Sequence, residues 1–181
     1  GLQGLARRYL VEVHKDIIAN AELFLMAAKS SQNGPFPEAI RKFHRDREFD
    51  RYVVNVMVSQ DTEASSGAPV VFEELPSLDR LIGRIEHISQ MGSLLTNFSM
   101  IKPGTMHQAN GGYLVLDARR VLKEPFSWEA LKQTIRNQSI TITSLADRLS
   151  LASTTTLQPD PIELDLRVAL VGDPFVYTLL S

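Results

Sequence analysis

The sequence contains no cysteine. That excludes a disulfide scaffold, a thiolate zinc site and a cysteine nucleophile, and it fits a reducing, cytoplasmic setting. No apolar run approaches the ~20 residues that a membrane-spanning helix needs, so no membrane association is expected. The N-terminus has no leader layout, because Arg7, Arg8, Glu12, His14, Lys15 and Asp16 interrupt it. Charge of one sign is also missing: 19 basic and 21 acidic residues leave a formal net charge of −2, without the overall signature of a nucleic-acid binder. No Gly-x-x-x-x-Gly-Lys-Ser/Thr stretch occurs, so the chain carries no phosphate cradle. No Gly-x-Ser-x-Gly elbow occurs either, which argues against an independent hydrolase. The four histidines lack ligand spacing, and a histidine metal site is not expected.

What is present reads as an ordinary globular α/β chain. The 181 residues are 44% hydrophobic and 22% charged, enough to bury a core. Residues 1–29 have helical periodicity, with Leu5, Tyr9, Val13, Ile17 and Phe24 on one stripe and no proline inside. This predicts one long helix, roughly 40 Å at ~1.5 Å per residue, projecting as an arm. The start in mid-helix without Met suggests a piece of a longer protein. Residues 30–50 open on a breaker cluster, Ser30 to Pro35, and continue as a charged linker with Arg41, Lys42, Arg45 and Arg47.

From Arg51 the texture changes. Tyr52 to Val58 is rich in β-branched residues and predicts a strand; Pro69 to Glu73 predicts a second. Leu78 to Ile82 reads as a short helix or turn, and Ile85 to Phe98 is ambiguous. Thr105 and Ser127 are placed to cap helices. Leu151 to Leu157 and Ile162 to Leu164, around Gln158-Pro159-Asp160-Pro161, read as a hairpin near 150–165. Two apolar runs, Tyr113 to Leu116 and Val168 to Val171, lead into aspartates, Asp117 and Asp173. Such runs suit central parallel strands covered on both faces. In open α/β sheets ligands bind beyond the carboxyl ends of the strands, so both aspartates are expected at the functional edge.

Gly83-Arg84-Ile85-Glu86-His87, then Ile101-Lys102-Pro103-Gly104-Thr105-Met106-His107-Gln108-Ala109-Asn110-Gly111-Gly112-Tyr113-Leu114-Val115-Leu116-Asp117, and later Leu149 to Thr154, Pro159 to Ile162 and Leu170 to Asp173, resemble the ATPase module of Lon-type proteases. The likeness is greatest to the bacterial Lon-like branch related to archaeal LonB. The resemblance implies a partial AAA+ fold over 51–181, with 1–29 as the end of a helical insertion and the 150–165 hairpin preceding a sensor strand. It implies ATP and Mg²⁺ as cofactors, protein substrates, a homo-oligomeric, usually hexameric, ring, and a serine protease with a Ser-Lys dyad outside this chain. Asp117 matches the Walker B aspartate, and Asp173 matches the first sensor position. Met91, Leu94 and Phe98 lie where such rings place a substrate-gripping pore loop.

Two departures from the pattern bear on activity. Asp117 is followed by Ala118, where the family usually has a glutamate that polarises water, and alanine does no proton chemistry. Asp173 puts a negative charge where a neutral side chain is usual, and it repels a phosphate unless a cation intervenes. Alone, the chain is expected neither to hydrolyse ATP nor to cleave peptides. Three readings stay open: a nucleotide-associated part of a Lon-like protease, a nucleotide-free structural or gating module, and a DNA contact through Arg41 to Arg47.

Overall fold

The computed structural model describes residues 2–30, 49–59, 67–90, 93–143 and 157–180. It divides into two compact units, residues 1–54 and 55–181. The breaker cluster after Ser30, the arginines 41–47, Met91 and the first arm of the expected 150–165 hairpin lie outside the described residues.

The first unit contains α1 (Leu2–Ala19), α2 (Ala21–Ser30) and a 3₁₀ turn, Asp50–Tyr52. The expected single helix is therefore broken, at Asn20. Its side-chain Nδ2 donates to the Asp16 carbonyl oxygen at 2.9 Å and to Asp16 Oδ1 at 3.1 Å. An asparagine that bonds the backbone one turn back competes with the helical ladder, which makes it a poor interior residue. Asp16 also accepts from the Tyr52 hydroxyl at 2.6 Å and pairs with Arg51. Phe24, Phe49 and Tyr52 pack ring to ring, with Phe24 5.1 Å from Phe49 and 5.3 Å from Tyr52. The Tyr52 hydrogen bond, then Arg51, hold the Asp16 carboxyl below its usual range against partial desolvation. The Asp16 carboxylate in turn raises the Tyr52 phenol. Asp16→Asn is accordingly expected to bring the Tyr52 phenol back down toward the ordinary range. A spectroscopic tyrosine titration against Tyr52→Phe checks this, and a titration unchanged by Asp16→Asn would contradict it.

The second unit is built on a parallel sheet. β1 (Val70–Glu73) leads to α3 (Leu78–Ile82), and the short strand β2 (Arg84–Ile85) follows. β3 (Ile88–Gln90) and β4 (Ser93–Leu95) form an antiparallel pair. Then come β5 (Ile101–Lys102), α4 (Thr105–Gln108), β6 (Tyr113–Asp117), α5 (Ala118–Lys123) and α6 (Ser127–Asn137). β7 (Ser139–Ile140), β8 (Ile162–Glu163), β9 (Arg167–Val171) and α7 (Pro174–Leu180) complete it. The sheet order is β1-β6-β9, parallel throughout, and β2 pairs with β5. Val70, Tyr113 and Arg167 stand in one register row, and Phe72, Val115 and Ala169 in another.

Side chains alternate across the sheet with period two. Leu114 and Leu116 are buried against Leu78, Leu81 and Ile82 of α3, Val121 of α5, and Ala130 and Leu131 of α6. The apolar runs suggest cover on the opposite face too, but among the described residues Val70, Phe72, Tyr113 and Val171 are all exposed there. The packed helices lie on one face, so the runs are apolar on both sides but buried on one.

Other expectations give way locally. Residues 53–58 form no strand, although Val53, Val54 and Val56 are β-branched; all three are exposed. Gly104, not Thr105, holds the N-cap of α4, and the Thr105 hydroxyl donates to the Arg80 carbonyl oxygen. Phe126, with φ of 64°, holds the N-cap of α6, and Ser127 lies buried in its first turn. Of the expected 150–165 hairpin only the second arm is described, and its Ile162 and Glu163 pair with β7.

Candidate functional site

The carboxyl ends of the three parallel strands bring together Glu73, Asp117 and the turn that carries Asp173. Asp117, the last residue of β6, lies level with Val171, the last residue of β9. Asp173 follows two residues later. The two aspartates singled out from the sequence therefore sit on neighbouring strand ends at one edge of the sheet.

Each acid there has a distinct setting. Glu73 is buried, with its side chain 2% exposed; its Oε1 accepts from the Leu75 amide at 2.9 Å and from Arg80 Nε at 3.1 Å. A carboxylate so enclosed and paired serves the fold. Asp117 is exposed and N-caps α5, its Oδ1 accepting from the Arg120 amide at 2.9 Å. Among the described residues no group bonds its second oxygen. Asp173 N-caps α7: its Oδ1 accepts from the Val176 amide at 3.0 Å, and its Oδ2 accepts from Arg119 Nη2. The Val176 amide first, and then the Arg119 guanidinium, hold the Asp173 carboxyl below the usual range, against partial desolvation. Arg119 is thus the cation that the charge of Asp173 requires.

The two residues after Ala118 span the edge in opposite directions. Arg119 reaches the turn after β9, and Arg120 Nη1 donates to the Glu74 carbonyl oxygen after β1 at 2.6 Å. Neither arginine stood out in the sequence, and the available signal was their place directly behind a strand-end aspartate. Ala118 is buried, and a Cβ built on Gly172 would lie 3.3 Å from the Ala118 Cβ. The position after Asp117 thus packs against the β9–α7 turn and offers a methyl group, not a proton acceptor.

These groups suit the two halves of a Mg²⁺–phosphate ligand. An exposed carboxylate oxygen can hold a hydrated Mg²⁺, which keeps most of its waters and needs few protein ligands. A guanidinium with donors to spare suits a phosphate. Among the described residues no group of three or more histidine or acidic side chains could hold a metal ion by itself.

Of the pore-loop candidates, Leu94 lies on β4 and Phe98 at the foot of the β3–β4 pair. Met91 is outside the described residues, and Leu94 pairs with Ser89 across the ladder. Phe98 is half-buried in the 3₁₀ turn that follows (Phe98–Met100). Among the described side chains of the hairpin, Ile88 and Leu95 are exposed and face each other across the strands. Thr96 donates to the Glu86 carbonyl oxygen at 2.8 Å and closes the base. Asn55 Nδ2 donates to the carbonyl oxygens of Phe98 and Ile101, at 2.9 and 3.0 Å.

A family model described as LonB-like, AAA domain, matches residues 66–181. The Putative Lon protease homolog of Escherichia coli (strain K12) is 32% identical over 73 residues, which is 40% of this chain and 12% of that protein. The chain therefore spans about an eighth of the length of this curated relative.

Proposed function

The chain belongs to the LonB-like AAA domain family, and from that premise we propose that it forms the nucleotide-associated and substrate-handling part of a Lon-like ATP-dependent serine protease. One observation carries this reading: the two family-matched aspartates, Asp117 and Asp173, end adjacent parallel strands on one sheet edge, the edge at which open α/β sheets bind ligands. Bound Mg·ATP would supply the phosphoanhydride whose hydrolysis drives movement of a protein substrate. Asp117 would hold the metal through water, with its orientation fixed by the Arg120 amide. Asp173 would stand at the sensor position with its charge balanced by Arg119.

Ala118 makes the site a slow one. Nothing at position 118 can take a proton from water, so binding and hydrolysis are separated here. Assembly into a homo-oligomeric, hexameric ring and action on protein substrates in the cytoplasm are part of the same proposal, as are ATP and Mg²⁺. The β3–β4 hairpin would grip substrate, with Ile88 and Leu95 as an exposed apolar pair beside the Met91, Leu94 and Phe98 positions. A second reading, a nucleotide-free gate, is favoured by the buried alanine at 118.

Calorimetry with Mg·ATP on the full-length protein that carries this chain separates the two. The nucleotide reading expects binding in the micromolar range, weakened about tenfold, or ~1.4 kcal/mol, by Asp117→Ala. No binding, or binding indifferent to Asp117→Ala, would leave the gate reading.

A further inference from the structure

We propose that Arg119 contacts the terminal phosphate of a nucleoside triphosphate at the sheet edge, and that Asp173 holds the guanidinium when no triphosphate is present. The Arg119–Asp173 pair would then set the preference for triphosphate over diphosphate. The proposal rests on the reading that this edge takes a nucleotide.

Stability gives the pair little reason to exist. The two side chains are 59% and 41% exposed, and ion pairs in such settings contribute almost nothing to folding. Its position is what stands out. Arg119 lies two residues beyond Asp117, and Asp173 two residues beyond Val171, the register partner of Asp117. Ala118 and Gly172 approach closely between them, so the turns that carry the pair are packed together. A guanidinium has five N–H donors in a planar fork, and among the described residues only Asp173 accepts from the Arg119 side chain. Phosphate and carboxylate compete for the same fork. Asp173 therefore opposes a phosphate twice, by occupying Arg119 and by its own charge, and Arg119 is what makes the edge tolerate an anion at all.

The two members of the pair must then act in opposite directions on triphosphate affinity. Arg119→Ala removes the donors and leaves Asp173 unneutralised. Asp173→Asn keeps an oxygen to cap α7 and frees Arg119. Calorimetry on the full-length protein, with Mg·ATP and Mg·ADP as probes, reads both. Arg119→Ala is expected to weaken ATP about tenfold and ADP less than threefold, while Asp173→Asn tightens ATP several-fold. Arg119→Lys, which keeps the charge but not the fork, should fall between wild type and Arg119→Ala, and it stands in if the alanine variant does not fold. A pair that only braces the turns would weaken both nucleotides alike in both variants, and that result overturns the proposal. So does an unchanged ATP-to-ADP ratio in Arg119→Ala while Asp117→Ala still weakens binding; in that case the nucleotide reading stands and the role of Arg119 falls. Wild-type protein that binds neither nucleotide overturns both.

Discussion

Gly104→Ala should abolish folding of the α/β unit or destabilise it by more than about 4 kcal/mol, among the largest effects a single substitution produces. A Cβ on Gly104 would lie 2.2 Å from the Leu81 carbonyl oxygen, 2.4 Å from the Gly83 amide nitrogen and 2.5 Å from the Leu81 carbonyl carbon. All three are backbone atoms, so no side chain can swing away. Leu81 itself is fully buried in the core. Gly83 meets the crossing from the other side: its φ is 89°, and its own Cβ would lie 2.5 Å from the Lys102 carbonyl oxygen. Two glycines thus allow the end of α3 to cross the start of α4 at a separation that no larger residue permits. Gly111→Ala is the control. Gly111 also has positive φ, 83°, but nothing lies within 4 Å of its Cβ position. It should cost only the backbone term, about 1 kcal/mol. Denaturant unfolding of the three proteins checks the contrast, and similar midpoints for Gly104→Ala and Gly111→Ala would refute the crossing argument.

The same crossing shows what could be read from the sequence. Gly83 and Gly104 lie within the motifs that carried the family resemblance, and the resemblance was right over the stretch the family model matches. The strand-end aspartates were also legible, because an apolar run of four closed by an acid has few other readings in an α/β chain. Residues 53–58 were not. Their β-branched composition favours extended backbone, yet a strand needs a partner, and composition does not name one. The break at Asn20 was missed for a local reason: periodicity weighs apolar spacing and ignores a side chain that competes for backbone bonds. Arg119 required knowledge that β6 and β9 are neighbours, since it meets a residue 54 positions away. The uncovered sheet face depends on which side the helices pack, and an apolar run reads the same either way.

His107 provides the second large effect, and it is a pH effect. The imidazole is 5% exposed; its Nδ1 accepts from the Gly104 amide at 3.2 Å, and among the described residues its buried Nε2 has no partner. An acceptor Nδ1 places the single proton of the neutral ring on Nε2. A second proton would have to sit on Nδ1, breaking that bond and charging a ring shut away from water. Burial accordingly pushes the His107 pKa down to about 4. In the unfolded chain it returns to about 6.5. Between those values the unfolded state binds the extra proton and the folded state does not. The contribution of His107 is therefore complete above about pH 6.5 and is lost as the pH falls toward 4. It amounts to on the order of 3 kcal/mol. Carboxylates titrate in the lower part of that window, so the measurement must be a difference. His107→Asn keeps an oxygen placed to accept from the Gly104 amide and removes the titrating group. At neutral pH the variant should be the less stable, having lost ring volume from the core. Its deficit should shrink, or reverse, as the pH falls toward 4. Denaturant unfolding of both proteins across that range reads the difference directly, and stability curves that stay parallel would mean that His107 protonates without cost.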